Sequence, residues 1–275
     1  MQRRRRDSVS NEGPELDDDD QAAVPRPYAL PSFKSRSTVV NEGGQRKMKF
    51  YGHGMPYLKD LQVKGHLIVI EGPDASGRST HTQSIQAKLE ADGHAVLGTG
   101  LKRSELISEG IIEAKGNLGV GKRTLSLFYA ADFADQLENK IIPALEAGYV
   151  VLADRYIYTL IARNNVRGIE RRWSKSLFGF TLVPDLIFYL DVKPEELVHR
   201  VFQKNSILDY YESGMDIGLS DDMYKSFLIY QGKMAKEFER MKKLFGLQFI
   251  DGNRPIEQVD ADLQSRIDAF LNRAR

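Results

Sequence analysis

Two clusters of residues in this 275-residue chain have the types and spacing that phosphate chemistry requires. The first is Gly72-Pro73-Asp74-Ala75-Ser76-Gly77-Arg78-Ser79-Thr80, a G-x-x-x-x-G run followed by a cation and two hydroxyls. Glycine lets the backbone wrap closely around phosphate oxygens. A helix opening at Ser79 aims its free N–H groups and positive dipole end at the same anion. The expected ligand is a nucleoside triphosphate, held by Gly72, Asp74, Ala75, Ser76, Gly77, Arg78, Ser79 and Thr80. The Ser79 hydroxyl is expected on Mg²⁺, and the Arg78 cation is expected to reach the β and γ phosphates. Arginine stands where this motif usually carries lysine. It keeps the charge and can bind phosphate with two parallel bonds, but its planar fork is bulkier than an ammonium.

The second cluster is Asp154-Arg155-Tyr156, which follows the apolar run Val150-Val151-Leu152-Ala153. An acid and a base at the carboxyl end of a strand lie where open α/β sheets bind their ligands. The same pair could instead cap a helix and form a surface ion pair, because aspartate is a good N-cap.

Positioning these residues takes a sheet with helices on it. Short apolar runs predict strands at Leu67–Ile70, Ala95–Thr99, Tyr149–Ala153, Leu186–Leu190 and Leu247–Ile250. Longer amphipathic stretches between them predict helices at Ser79–Asp92, Ser104–Lys115, Thr124–Glu146, Arg155–Asn165, Pro194–Lys204, Ser220–Leu244 and Ile256–Asn272. Strands alternating with helices imply a parallel sheet. Pro194 and Pro255 stand at helix starts, and Gly93, Gly148 and Gly246 stand where helices should stop.

Composition sets the limits. With 41% hydrophobic residues the chain can bury a full core, and a formal charge of +1 gives no global attraction to nucleic acid or membrane. The absence of cysteine rules out disulfides and thiolate-bound metal. With no long apolar run, the chain reads as a soluble, cytoplasmic protein without nucleic-acid or membrane partners. Residues 1–47, with Arg3 to Arg6 and Asp17 to Asp20, read as a disordered tail. Residues 48–65 read as an aromatic lead-in packed on a domain of residues 66–275. The five histidines show no metal-ligand spacing, and Arg171, Arg172 and Lys175 around Trp173 read as a solvated helix face.

Taken together, the phosphate loop and the Asp154-Arg155 pair resemble the thymidylate kinase family, over residues 66 to 271. Glu71-Gly72-Pro73-Asp74 is similar to the family's loop. Asp154-Arg155-Tyr156-Ile157-Tyr158-Thr159-Leu160-Ile161-Ala162 is similar to its Asp-Arg-[Tyr/Phe]-x-x-Ser-x-x-Ala pattern. Leu127-Phe128-Tyr129-Ala130-Ala131-Asp132 resembles the helix lining the monophosphate pocket, and Val183 to Val192 resembles the strand before the lid. The resemblance implies a three-layer α-β-α P-loop kinase fold with a five-stranded parallel sheet and a helical lid. It also implies phosphoryl transfer from ATP to a nucleoside monophosphate, dTMP to dTDP, by a homodimer. Catalysis would fall to Arg78, Asp154 and Arg155, with Mg²⁺ held by Ser79 and Asp154. The acceptor would lie among Asp74, Arg103, Phe128, Arg155, Tyr156 and Arg163, with Asp74 on the sugar 3′-hydroxyl and Arg155 on the phosphate. A lid over Lys204 to Gly218 would close above with Gly214 and Gly218 as hinges, excluding water.

Three departures bear on the acceptor. Phe133 stands where the family carries an arginine. The Arg-Glu-Pro-Gly segment is missing, with Lys102, Arg103 and Glu105 nearby. The usual arginine of the loop or lid is absent, since the loop has Ala75, which makes Arg78 and Arg163 the candidates to replace its charge. Two other readings stay open: a kinase for another nucleoside monophosphate or a polyphosphate acceptor, and a nucleotide-binding regulator without turnover.

Overall fold

A computed structural model describes residues 46–58, 60–116, 120–203 and 207–274. Five strands form one parallel sheet: β3 (His66–Glu71), β4 (Val96–Gly100), β5 (Val150–Asp154), β6 (Leu186–Asp191) and β7 (Gln248–Asp251), in the order β4-β5-β3-β6-β7. Each falls within a residue of its expected bounds. They are legible because strands covered on both faces are apolar at nearly every position. Ahead of them, β1 (Arg46–Lys47) and β2 (Gln62–Val63) pair antiparallel in a separate two-stranded ribbon.

Alternation along β3 sorts the core into two layers. Leu67 and Val69 face a cluster with Val151, Ala153, Ile187 and Tyr189, while Ile68 and Ile70 face another with Leu152, Phe188 and Leu190. The second cluster is covered by helices α1 (Arg78–Ala91) and α9 (Ile256–Ala274), through Ile85, Leu89, Leu263 and Ile267. The first is covered by α3 (Lys122–Gln136), α5 (Ile157–Val166) and α8 (Met223–Phe245). The three-layer α-β-α arrangement expected from the sequence is therefore present. The remaining helices are α2 (Ser108–Gly116), α4 (Ile142–Glu146), α6 (Arg171–Leu177) and α7 (Pro194–Gln203).

Two helix expectations are corrected. The stretch read as one helix over Thr124–Glu146 is interrupted by a π turn at Leu137–Ile141, leaving α3 and α4. Pro143 has no N–H and its ring crowds the carbonyl four residues back, so the chain widens just before it. The stretch read as a helix from Arg155 starts at Ile157, because Arg155 has φ +70° and Tyr156 is extended.

Residues 48–58 pack on the first layer, with Met48, Tyr51 and Met55 buried and the Tyr51 and Tyr158 hydroxyls hydrogen-bonded. Arg46 joins this arm to the sheet, donating to both oxygens of Asp185 at 2.7 and 2.6 Å and to the Gly65 carbonyl at 2.6 Å. Of the expected tail, residues 1–45 lie outside the described residues. Arg46 and Lys47, read as its end, are strand.

Candidate active site

The phosphate loop leaves the carboxyl end of the central strand β3, and β5 runs beside it with Ile70 paired to Asp154. Adjacent strand ends thus bring residues 72–80 and 154–155 together from 75 positions apart. Ala75 at φ +63° and Gly77 at φ +89° give the loop two left-handed turns. Glycine suits the second position, which carries no Cβ penalty in a left-handed conformation. The first helical bond of α1 runs from His81 N to Gly77 O, and no side chain caps the helix start. Its leading amides and dipole end are therefore available to an anion.

Arg78 is 9% exposed and bends back over the loop. Its Nε donates to Asp154, and its Nη1 donates to the carbonyls of Gly72 at 2.6 Å and Pro73 at 2.8 Å. Nη2 lies 4.0 Å from Asp74. A lysine ammonium could not make this fan of contacts, so arginine here ties the loop to β5 as well as supplying charge. The Ser79 hydroxyl donates to the other Asp154 oxygen at 2.9 Å. Burial raises the Asp154 pKa, but the Arg78 cation and the bonds from Arg78 and Ser79 outweigh it and hold the carboxylate below its ordinary value. A hydroxyl and an ionised carboxylate side by side are hard oxygen donors that fit Mg²⁺, which takes few protein ligands beside phosphate and water.

Arg155 and Arg163 converge on Asp74. Arg155 Nη2 is ion-paired to one oxygen, and Arg163 Nη2 lies 3.3 Å from the other. Burial alone would raise Asp74, but Arg155, Arg163 and Arg78 together hold it well below the carboxylate range. Arg155 reaches this position from its left-handed backbone, a strained conformation that a neighbouring residue anchors. Glu71, fully buried, accepts from the backbone N–H of Tyr156 at 2.9 Å and Thr159 at 3.2 Å, and from the Thr159 hydroxyl at 2.5 Å. These bonds fix the start of α5 against β3. Glu71 was read from the sequence only as part of a motif; its burial is what reveals its part in holding Arg155.

Beyond Asp74 a cleft of about 270 Å³ opens between α3, α5 and the turns of residues 210–216. Arg163 and Tyr129 line it, and so does Asn164, which no pattern in the sequence marks as a ligand. Arg167 latches the turns to α5, donating to Asp216 at 2.8 and 3.0 Å and to the Tyr211 carbonyl at 2.8 Å. Glu212, between these contacts, has its carboxyl raised to about 7 by burial and by the neighbouring Asp74 charge, against the pull of Arg163 and Arg155. The part of the expected lid at residues 204–206 lies outside the described residues. The part within them is turns and one 3-10 helix at Met215–Ile217, flanked by Gly214 and Gly218 with positive φ.

Three expected acceptor contacts are not brought to the cleft. Tyr156 is completely buried, its ring edge-on to Phe133 and its hydroxyl donating to the Leu182 carbonyl. Phe128 turns toward Gly110 of α2, one helical position away from Tyr129. Arg103 is exposed beyond β4, and its carbonyl accepts from Lys140. Helical phase decides the second, since neighbouring residues of a helix point about 100° apart, whereas Tyr156 lies in the extended link ahead of α5. Asp132, matched to the pocket helix by its sequence, is buried and accepts from the N–H groups of Lys102 and Ser104, both at 2.9 Å.

A parallel α/β sheet with a glycine-turned anion cradle after its central strand, and a cleft joined to that cradle by arginines, defines a P-loop nucleotide-binding enzyme. The family model described as thymidylate kinase matches residues 70–263. A protein named probable thymidylate kinase 2 from Saccharolobus solfataricus is 33% identical over 211 residues, covering 76% of this chain and 99% of that protein. A probable thymidylate kinase of Thermococcus kodakarensis is 33% identical over 217 residues, 74% of this chain and 98% of its own length. A thymidylate kinase of Shouchella clausii is 29% identical over 218 residues, 76% of this chain and 97% of the relative. The chain belongs to the thymidylate kinase family, and with it to the nucleoside-monophosphate kinases. Among the described residues, no helix is long and apolar enough to cross a membrane.

Proposed function

We propose that the chain transfers the γ-phosphoryl group of ATP to the phosphate of thymidine monophosphate, giving ADP and dTDP. The observation that carries this reading is the contact between Arg163 and Asp74, which joins the cleft to the phosphate loop. Two nucleotides placed on either side of it would meet phosphate to phosphate. Phosphoryl transfer asks little covalent chemistry of a protein; it needs two reactants held in line and cations where charge spreads over the moving oxygens.

In this reading Gly72 and residues Asp74 to Thr80 hold the triphosphate, through the amides of the turn and the start of α1. Ser79 and Asp154 hold Mg²⁺, which when bound neutralises charge on the β and γ phosphates. Arg78 braces the loop against Asp154 and offers Nη2 toward the transferring group. Arg155 and Arg163 bind the acceptor phosphate, exchanging part of their hold on Asp74 for it. Asp74 is then released toward the sugar 3′-hydroxyl. The base lies in the cleft, where Tyr129 offers an aromatic face in place of Phe128. The turns latched by Arg167 exclude water from the reacting phosphates.

A panel of nucleoside monophosphates assayed by ADP release, with ATP and Mg²⁺, tests the proposal. Turnover is expected to be fastest with dTMP. A different preferred acceptor would move the assignment within the kinases, and tight ATP binding with no product from any monophosphate or polyphosphate would leave a regulator.

A further inference from the structure

We infer that His81, held by Asp260 of α9, is a positioning residue for the phosphate loop: it backs Gly77 from outside and so fixes the amides that receive the triphosphate. This rests on the triphosphate lying on residues 72–80. His81 is 3% exposed, and its ring packs against the loop. Among the described residues, and apart from its chain neighbours, a Cβ built on Gly77 would meet within 4 Å only this ring, Nε2 at 3.5 Å and Cδ2 at 3.6 Å. Gly77, at φ +89°, is the last residue before α1, and its carbonyl receives the first helical bond, from the His81 N–H at 3.1 Å. One residue thus holds both the carbonyl and the open face of this glycine.

Glycine is the residue least restrained by its own backbone, while a cradle of amides binds an anion well only if the amides already converge. A side chain at position 77 would supply restraint, but the left-handed backbone disfavours one. The imidazole supplies it from the next turn of the chain. The ring is itself held: Nδ1 lies 2.7 Å from Asp260 Oδ1, and because a carboxylate oxygen accepts, the ring nitrogen donates. The Ser84 hydroxyl donates to the other Asp260 oxygen, and Gln264 donates to Ser84 at 3.4 Å. The tie continues along the helix pair, where Lys88 donates to Asp268 at 2.9 Å. His81, Ser84 and Lys88 of α1 thus meet Asp260, Gln264 and Asp268 of α9 along one polar stripe at helical spacing. Its first rung touches Gly77, so the last helix of the chain reaches the donor loop through His81.

The test compares KM for ATP, KM for dTMP and the thermal midpoint in the wild-type protein and in His81→Ala, His81→Asn, Asp260→Ala and Lys88→Ala. His81→Ala and Asp260→Ala are expected to raise KM for ATP by about tenfold, the scale of one hydrogen bond, with KM for dTMP held within about twofold. His81→Asn keeps a donor for Asp260 but clears the space beside Gly77. It is expected to hold the midpoint near the wild-type value and still raise KM for ATP. Lys88→Ala cuts the same helix pair away from the loop, and is expected to lower the midpoint without moving either KM. The inference is overturned if His81→Asn leaves KM for ATP at the wild-type value, or if Lys88→Ala raises it as much as His81→Ala does. A wild-type protein that shows no binding of ATP instead refutes the placement of the triphosphate on the loop, and the inference falls with it.

Discussion

The Nη1 of Arg78 donates to the carbonyl of Gly72 at 2.6 Å, so the cation of the phosphate loop also closes the loop upon itself. Position 78 therefore carries two duties, charge at the transferring phosphate and shape of the cradle. Arg78→Ala is expected to lower kcat/KM by at least about a hundredfold, the equivalent of ~3 kcal/mol of lost charge stabilisation. Arg78→Lys keeps the charge but not the fan of contacts, and is expected to fall between. Steady-state ADP release on both variants checks this; undiminished turnover in Arg78→Ala would remove the residue from the mechanism.

Glu71 has three donors directed at it from the start of α5, and it is completely buried. Glu71→Ala is expected to leave those donors unmet at ~1–3 kcal/mol each at most, and to unfix the strained backbone of Arg155. The expected signature is a fall of several degrees in the thermal midpoint together with a rise in KM for the monophosphate. A KM unchanged in a destabilised protein would show that the backbone of Arg155 does not depend on Glu71.

Glu212 is a pH-sensitive tie between the turns and the phosphate loop. Its folded pKa of about 7 lies above the ordinary value, because burial and then the Asp74 charge oppose its ionisation. A raised acid pKa contributes stability that is fully present below the unfolded value, near 4.5, and is lost as pH rises through about 7. Asp74 is shifted the other way, and its contribution holds above its unfolded value near 3.8. The contact is thus expected to be firmest between about pH 3.8 and 4.5 and to weaken as pH rises toward about 7. Amide exchange in Tyr211 to Gly214 should accelerate from pH 6 to 8 beyond its intrinsic rate, and Glu212→Gln should remove that excess.

Gly214 is held by geometry on both counts that matter. It has φ +65°, and a Cβ there would come within 2.7 Å of the Tyr230 ring. Gly214→Ala is expected to displace the turns from α8 and raise KM for the acceptor, with the ATP loop unaffected. Equilibrium binding of each nucleotide separately measures this, and equal weakening of both would count against it.

Arg46→Ala is expected to destabilise the fold by up to ~3 kcal/mol, because it takes two charged donors from the partly buried Asp185 carboxylate. Replacing Arg46 and Asp185 together by apolar residues should cost less than Arg46→Ala alone, which a pair of thermal unfolding curves decides.

The amino-acid sequence by itself determined the sheet and the cradle. Strands covered on both faces must be apolar, so β3, β5 and β6 are visible as runs, and a loop that wraps phosphate must carry glycines at fixed spacing, so residues 72–80 are visible as a motif. Both signals are local. Arg155 and Asp74, by contrast, meet across 81 positions because β5 lies beside β3, a pairing no local pattern contains. Tertiary structure alone decided that Tyr129 and not Phe128 faces the cleft, that Tyr156 belongs to the core, and that Arg46 closes the arm onto Asp185. The physical reason is that residue type records which groups can act, while helical phase and strand neighbours, settled only when the layers pack, decide which of them share a site.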